Sequence, residues 1–192
     1  MEVVHMGKMA LANLKLATSV LLENKYECLD EVFKNETEID ILNKKLTEYL
    51  IKVNNLSLNE KQKVQVSNLF YSISDLERVG DHAENLAEAA QYLKEHGLAF
   101  SETGIEDLKE ISSAAIGAVD HAVAARQDGG MEDIRQVSKL EDRVDTLEEE
   151  MRDKHIERLS KKFITNGYFQ RSTCIFHSAS KSYSLSLIIR HE

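Results

Sequence analysis

The chain has 192 residues, 33 acidic against 24 basic, a formal net charge of -9, and no proline or tryptophan. Ordinary usage would give about ten prolines, and proline breaks helix interiors and marks turns and edge strands, so its absence predicts long helices with short connections and argues against an all-β fold or a doubly wound sheet. The acidic balance argues against a nucleic-acid partner, which would need a basic stripe to displace counterions from phosphates.

The first predicted helix covers roughly residues 1–26, where Val4, Leu11, Leu14, Val20 and Leu21 recur at three-to-four spacing. A second runs from about Cys28 to Val53 on Leu29, Val32, Ile39, Leu42, Leu46 and Leu50, and stops at Asn54-Asn55. Ser57 and Glu60 have capping-box spacing and predict the start of a third helix that continues to Gly97. Thr103 and Glu106 repeat that spacing before a fourth helix, Ile105 to about Asp128, which ends at Gly129-Gly130. A fifth is predicted from Met131 to about Ile164, with Asn166-Gly167 as an αL-type end. No stretch approaches the roughly 18 apolar residues of a spanning helix, the N-terminus lacks an export-signal pattern, and Cys28 and Cys174 have no metal or disulfide spacing. A reducing cytoplasm is the expected setting.

Two segments are related. Glu36 to Leu46 reads ETEIDILNKKL and Glu141 to Met151 reads EDRVDTLEEEM, each with Glu, three residues, Asp, and Leu two further on. The offset is 105 residues, and the preceding helices pair in the same way. The expected organisation is a three-helix repeat over 1–97, a second and incomplete one over 98–167, and a tail over 168–192. The charge divides near the same point: residues 161–192 carry +4 and residues 1–160 carry -13, with six serines between Ser172 and Ser186.

A third acidic pair, Glu77 and Asp81, lies in DLERVGDHAENLAEAA, Asp75 to Ala90. Residues four apart on a helix share a face, but acidic pairs at that spacing are common in a chain this acidic. Orientation adds the second constraint. Leu69, Ile73, Leu76, Gly80, Ala83, Ala87 and Ala90 form an apolar stripe about 80° to one side of Glu77. Glu36 stands in the same relation to Ile39, Leu42, Leu46 and Leu50, and Glu141 to Val137, Leu140, Val144, Leu147 and Met151. The three pairs therefore flank core faces, where packing can make carboxylates converge. Converging carboxylates repel unless a cation neutralises them, and hard divalent cations or iron take such oxygen ligands. The competing reading is a solvated acidic face with Arg78 and Arg143 as counter-ions. His82 is expected to be a packing or capping histidine, Asn85 a neutral oxygen or an amide cap, and Gly80 a point of close helix approach. No phosphate loop, nucleophile triad, HExxH or Glu-xx-His pairing is present.

DLERVGDHAENLAEAA closely resembles the helix signature of PhoU proteins. EVVHMGKMALANLKLA and VFKNETEIDILNKKLTEYL are similar to the PhoU-like cytoplasmic domain at the C-terminus of bacterial Na⁺/phosphate cotransporters. The resemblance covers about residues 2–167. It implies an all-α bundle of long antiparallel helices in two three-helix repeats, with the last helix here aberrant or missing. It also implies a non-catalytic regulator of phosphate uptake whose acidic pairs hold divalent or iron ions in a multinuclear cluster. By matching positions, Glu36, Asp40, Glu77, Asp81, Glu141 and Asp145 inherit the metal-ligand role. The implied partner is a phosphate transporter or its regulatory machinery, at the inner face of the membrane; a homodimer is also expected, through residues 105–164. Near position 182, where the family has a second such helix, the sequence reads CIFHSASKSYSLSLIIRHE without an acidic pair; an altered reading frame or truncation is the expectation. The alternatives are a metal-free adaptor bundle that binds partner helices and, less favoured, a metal-dependent enzyme.

Overall fold

The computed structural model describes residues 2–160, which form five α-helices and one short 3-10 turn. They are α1 (Glu2–Glu23), α2 (Leu29–Asn54), α3 (Glu60–Glu95), α4 (Glu102–Asp128) and α5 (Met131–Ser160), and no strand occurs among the described residues. The all-α expectation holds, and the connections are as short as a chain without proline predicts. The tail, 168–192, and the end of the fifth predicted helix fall outside the described residues.

Two starts differ from the sequence reading. α3 is capped by Asn59, whose side chain accepts from the Gln62 amide while the Gln62 side chain accepts from the Asn59 amide. Asn caps as well as Ser, and this register leaves Glu60 in the first turn, where the helix dipole favours it. Ser57 instead sits in the preceding turn. α4 starts earlier than expected, with Ser101 accepting from the Gly104 amide at 3.1 Å. Its other end is where the sequence placed it: Gly129 takes φ +69 and its amide donates to the Ala125 carbonyl.

α1, α2 and α3 pack on one another, and α5 packs on α4, which in turn lies against α1. The Lys94 ammonium stands over the Tyr26 ring at 5.2 Å, just past the end of α1, while Leu69 lies beside Val3 and Val4 at its start. α1 and α3 thus run in the same direction, with α2 antiparallel between their ends. The α3 stripe is buried as patterned from Ile73 onward, with Ile73, Leu76, Gly80, Ala83, Ala87 and Ala90 all inside, while Leu69 at its start is half-buried. Small residues there let α1 and α2 approach closely, and Met6, Leu14, Ile39 and Leu86 fill the space. Asn13, fully buried, closes the α1–α2 seam: it donates to the Val32 carbonyl at 3.1 Å and accepts from Asn35 at 3.2 Å.

α1 and α4 end at Glu23 and Asp128, separated by the same 105-residue offset. Lys15 and Asp120 are equivalent positions at that offset, and they pair across the α1–α4 seam at 3.1 Å.

Candidate functional site

α2 and α3 approach closely between their acidic pairs. A Cβ built on Gly80 would stand 3.3 Å from Ile39 Cγ2 and 3.4 Å from Ile39 Cδ1. Ile39 immediately precedes Asp40 and follows Glu36 by three residues; Gly80 immediately precedes Asp81 and follows Glu77 by three. The glycine-on-isoleucine contact thus brings Glu36, Asp40, Glu77 and Asp81 to the margin of one seam, all partly buried. This bears out the expected role of Gly80 in close approach.

The electrostatics follow from that placement. Burial, then the charges of Glu84, Asp40, Asp81 and Glu77, pushes the Glu36 carboxyl above its ordinary range. Glu77 is raised by burial, Asp81 and Asp40, with Arg78 acting against them. Asp81 is raised by burial and Asp40, again opposed by Arg78. Glu84 is raised by burial, Glu88, Asp81 and Asp40. Four carboxyls on two helices therefore resist ionisation together, which is the behaviour of an acidic cluster short of positive charge. Asp40 has the main local counter-ion, Lys44 Nζ at 2.8 Å one turn along α2.

Glu84 is the member that the sequence reading missed. It stands seven residues after Glu77, two helical turns, and so on the same line as Glu77 and Asp81; a search for pairs alone passes over it. Asn85 donates to the Asp81 carbonyl at 2.7 Å, so its amide is occupied within the helix. His82 is half-buried, Nε2 has no hydrogen-bond partner, and burial with the nearby Arg78 lowers its pKa to about 4. It is a neutral packing histidine.

The third pair lies elsewhere. Glu141 and Asp145 are on α5, which packs on α4, where Leu140 covers Gly117 at 3.1 Å from the position of an added Cβ. The intervening residue Arg143 pairs with Glu110 of α4. The described helices therefore unite two of the three predicted pairs and leave the third in the other half of the bundle.

Carboxylate oxygens are the donors that hard cations take, and crowded carboxylates with raised pKa values are what a cation would relieve. In donor type and charge the α2–α3 cluster fits a metal ion. Among the described residues, however, no three His, Cys, Asp or Glu side chains gather closely enough to hold one in this conformation.

Residues 3–90 match the family model described as PhoU domain. The matched stretch is α1 to α3, the half that contains the united cluster. A curated relative, the phosphate-specific transport system accessory protein PhoU homolog of Aquifex aeolicus (strain VF5), is 33 % identical over 95 residues, 49 % of this chain and 43 % of that protein. The match thus spans less than half the length of the relative. Among solved structures, PhoU from Pseudomonas aeruginosa superposes with a TM-score of 0.77 at 17 % identity, covering 98 % of this chain and 88 % of that one. The phosphate transport system regulatory protein PhoU from Streptococcus pneumoniae gives 0.76 at 15 % identity, covering 98 % and 87 %. These two establish the fold: an all-α bundle of the PhoU kind.

Proposed function

We propose that this chain is a non-catalytic, cytoplasmic regulator of phosphate uptake whose α2–α3 carboxylate cluster binds divalent or iron ions. The carrying observation is the seam at Gly80 and Ile39, which gathers Glu36, Asp40, Glu77 and Asp81 in the half of the chain that matches the PhoU domain. Glu84 joins these four as a further candidate ligand, and Glu141 with Asp145 forms a separate candidate pair on α5. A bound cation would supply the positive charge that the cluster lacks, and would hold α2 against α3. The partner in this reading is a phosphate transporter or its regulatory machinery, in line with the Aquifex relative's being named an accessory protein of a phosphate-specific transport system. The sequence resemblance extends the proposal to kinship with the cytoplasmic domain of Na⁺/phosphate cotransporters.

Metal analysis after anaerobic, metal-replete purification tests the reading. The wild type is expected to retain metal, and Asp40→Ala and Asp81→Ala to lose it while keeping their helical content. A wild type without metal favours the second reading, a metal-free adaptor bundle that binds partner helices. The observation on that side is the Asp40–Lys44 ion pair, which already neutralises one carboxylate. Phosphate uptake by cells carrying the same variants distinguishes a regulator from a chain unconnected to transport.

We propose further that the chain is organised as one three-helix unit over 1–97, an incomplete one over 98–167 and a tail over 168–192, and that residues 105–164 mediate a homodimer. A strictly monomeric sedimentation profile at high concentration would count against the dimer.

A further inference from the structure

Of the eight exposed large apolar side chains among the described residues, five fall between positions 49 and 71: Tyr49, Ile51, Leu56, Val64 and Tyr71. Tyr49, Ile51, Leu56 and Val64 are 63 %, 51 %, 64 % and 57 % exposed, values typical of charged surface residues rather than of apolar ones. They surround the turn that joins α2 to α3. That turn projects beyond its neighbours: the start of α1 is level with Leu69, where Val3, Val4 and Leu69 line an open groove of about 550 Å³. The nine helical steps from Glu60 to Leu69 therefore carry the tip about 14 Å past α1.

The charge of this segment is opposite in sign to that of the whole chain. Residues 49–71 hold Lys52, Lys61 and Lys63 against Glu60 alone, a net +2 in a chain of -9. Lys63 pairs with Glu60 at 2.7 Å, which leaves the net charge to Lys52 and Lys61. Behind the tip, His5, Lys8 and Arg126 line the groove, at an end of the bundle that also holds Glu2 at the start of α1 and Asp128 at the end of α4.

We propose that the α2–α3 turn is a membrane-docking tip that seats in the headgroup layer of an anionic bilayer. The shape favours lipid over protein: a convex turn between two helices offers no groove to a partner helix, whereas a headgroup layer closes around it. Apolar side chains then reach the acyl boundary while lysines extend to the phosphates. Electrostatics favour the tip, because it carries +2 within a stretch, residues 1–160, that carries -13. Insertion is shallow, since no described helix is long and apolar enough to cross a membrane. Glu77 is about 26 Å along α3 from the helix start, so docking does not depend on the metal reading.

The chain has no tryptophan, so Leu56→Trp introduces a single fluorophore at the tip and Leu98→Trp one at the opposite end. With phosphatidylcholine vesicles containing phosphatidylglycerol, the Leu56→Trp emission should shift to the blue and be quenched by brominated lipid, and the Leu98→Trp emission should not change. Cosedimentation of the full chain should fall at least about tenfold for Leu56→Asp combined with Val64→Asp, and about fivefold for each of Lys52→Gln and Lys61→Gln. All four positions are exposed, and circular dichroism checks that the variants are folded. The proposal is overturned if the wild type does not sediment with anionic vesicles, if it binds neutral ones equally, or if the tip variants bind unchanged. It is also overturned if the Leu56→Trp shift grows with protein concentration in the absence of lipid, the result expected of a contact between protein copies.

Discussion

Gly80→Ala tests whether the α2–α3 seam is set by the glycine. The added methyl would lie 3.3 Å from Ile39 Cγ2 and 3.4 Å from Cδ1, closer than ordinary van der Waals contact by a few tenths of an ångström. Ile39 is only 1 % exposed, so neither it nor α2 yields without disturbing other core neighbours. Alanine in a helix interior gains about 1 kcal/mol over glycine, and overpacking a core costs about 1–3 kcal/mol. The net expectation in the wild-type background is a loss of about 0–2 kcal/mol. Ile39→Ala removes both crowding carbons and by itself costs about 2–5 kcal/mol. In that background Gly80→Ala should be stabilising by about 1 kcal/mol, because only the helix term remains. Urea unfolding of the four members of this double-mutant cycle measures the difference, an expected coupling of about 1–3 kcal/mol. Equal effects of Gly80→Ala in both backgrounds, to within about 0.5 kcal/mol, would refute the claim that this contact positions the acidic pairs.

In the metal-free chain, Asp81→Asn should stabilise by a few tenths to about 1 kcal/mol, discounted for its partial exposure; thermal unfolding in chelator measures this, and a clear loss would mean that Asp81 is paired rather than repelled. The pH profile should contain two opposed parts. Glu36, Glu77, Asp81 and Glu84 have raised pKa values, so they bind protons more tightly folded than unfolded, and their destabilisation fades as pH falls toward the ordinary carboxyl range. His82, lowered from 6.5 to about 4, acts the other way and removes up to about 3 kcal/mol as pH falls between those values. His82→Gln should therefore flatten or reverse the acid loss of stability in chelator, and an unchanged slope would count against a buried neutral imidazole. Asn13→Leu leaves the Val32 carbonyl and the Asn35 amide without this partner and should cost about 1–3 kcal/mol in the same unfolding assay; a neutral result would show that the seam does not need the polar contact.

How much of this was legible in the sequence varied with the range of the interaction. The α3 stripe from Ile73 to Ala90 was readable because helical periodicity alone decides which face is apolar, and the structure buries those residues as patterned. Gly80 was readable because a helix-interior glycine is costly unless something approaches it. The start of α3 was misread because Ser57–Glu60 and Asn59–Gln62 both satisfy a capping box; local spacing cannot rank two valid caps, and the structure uses the second. The grouping of the acidic pairs was not legible at all. All three have the same relation to their own apolar stripes, but which pairs meet depends on which helices share a seam, and α2 meets α3 while α5 meets α4. Glu84 escaped for a simpler reason, since it extends the line by a step that is not the four-residue spacing of the motif.

The seam also states what a second cluster would require. In the first half, three features of α3 act together: Glu77 and Asp81 supply charge, and Gly80 between them lets Ile39 of α2 come close enough for the charges to be shared. At the 105-residue offset, Glu36, Ile39 and Asp40 correspond to Glu141, Val144 and Asp145, so the α2 side of the arrangement is preserved in α5. The α3 side is not: Ser182, Leu185 and Ser186 stand at the offset from Glu77, Gly80 and Asp81, outside the described residues. Serine replaces both carboxylates, and leucine replaces the residue whose lack of a side chain permits the approach. Whatever residues 161–192 do, this register supplies neither the charge nor the clearance on which the first cluster depends. Metal retained by the purified chain is therefore expected to respond to Asp40→Ala and Asp81→Ala far more strongly than to Asp145→Ala; equal losses at all three positions would mean that Glu141 and Asp145 find their missing donors by a route other than the repeat.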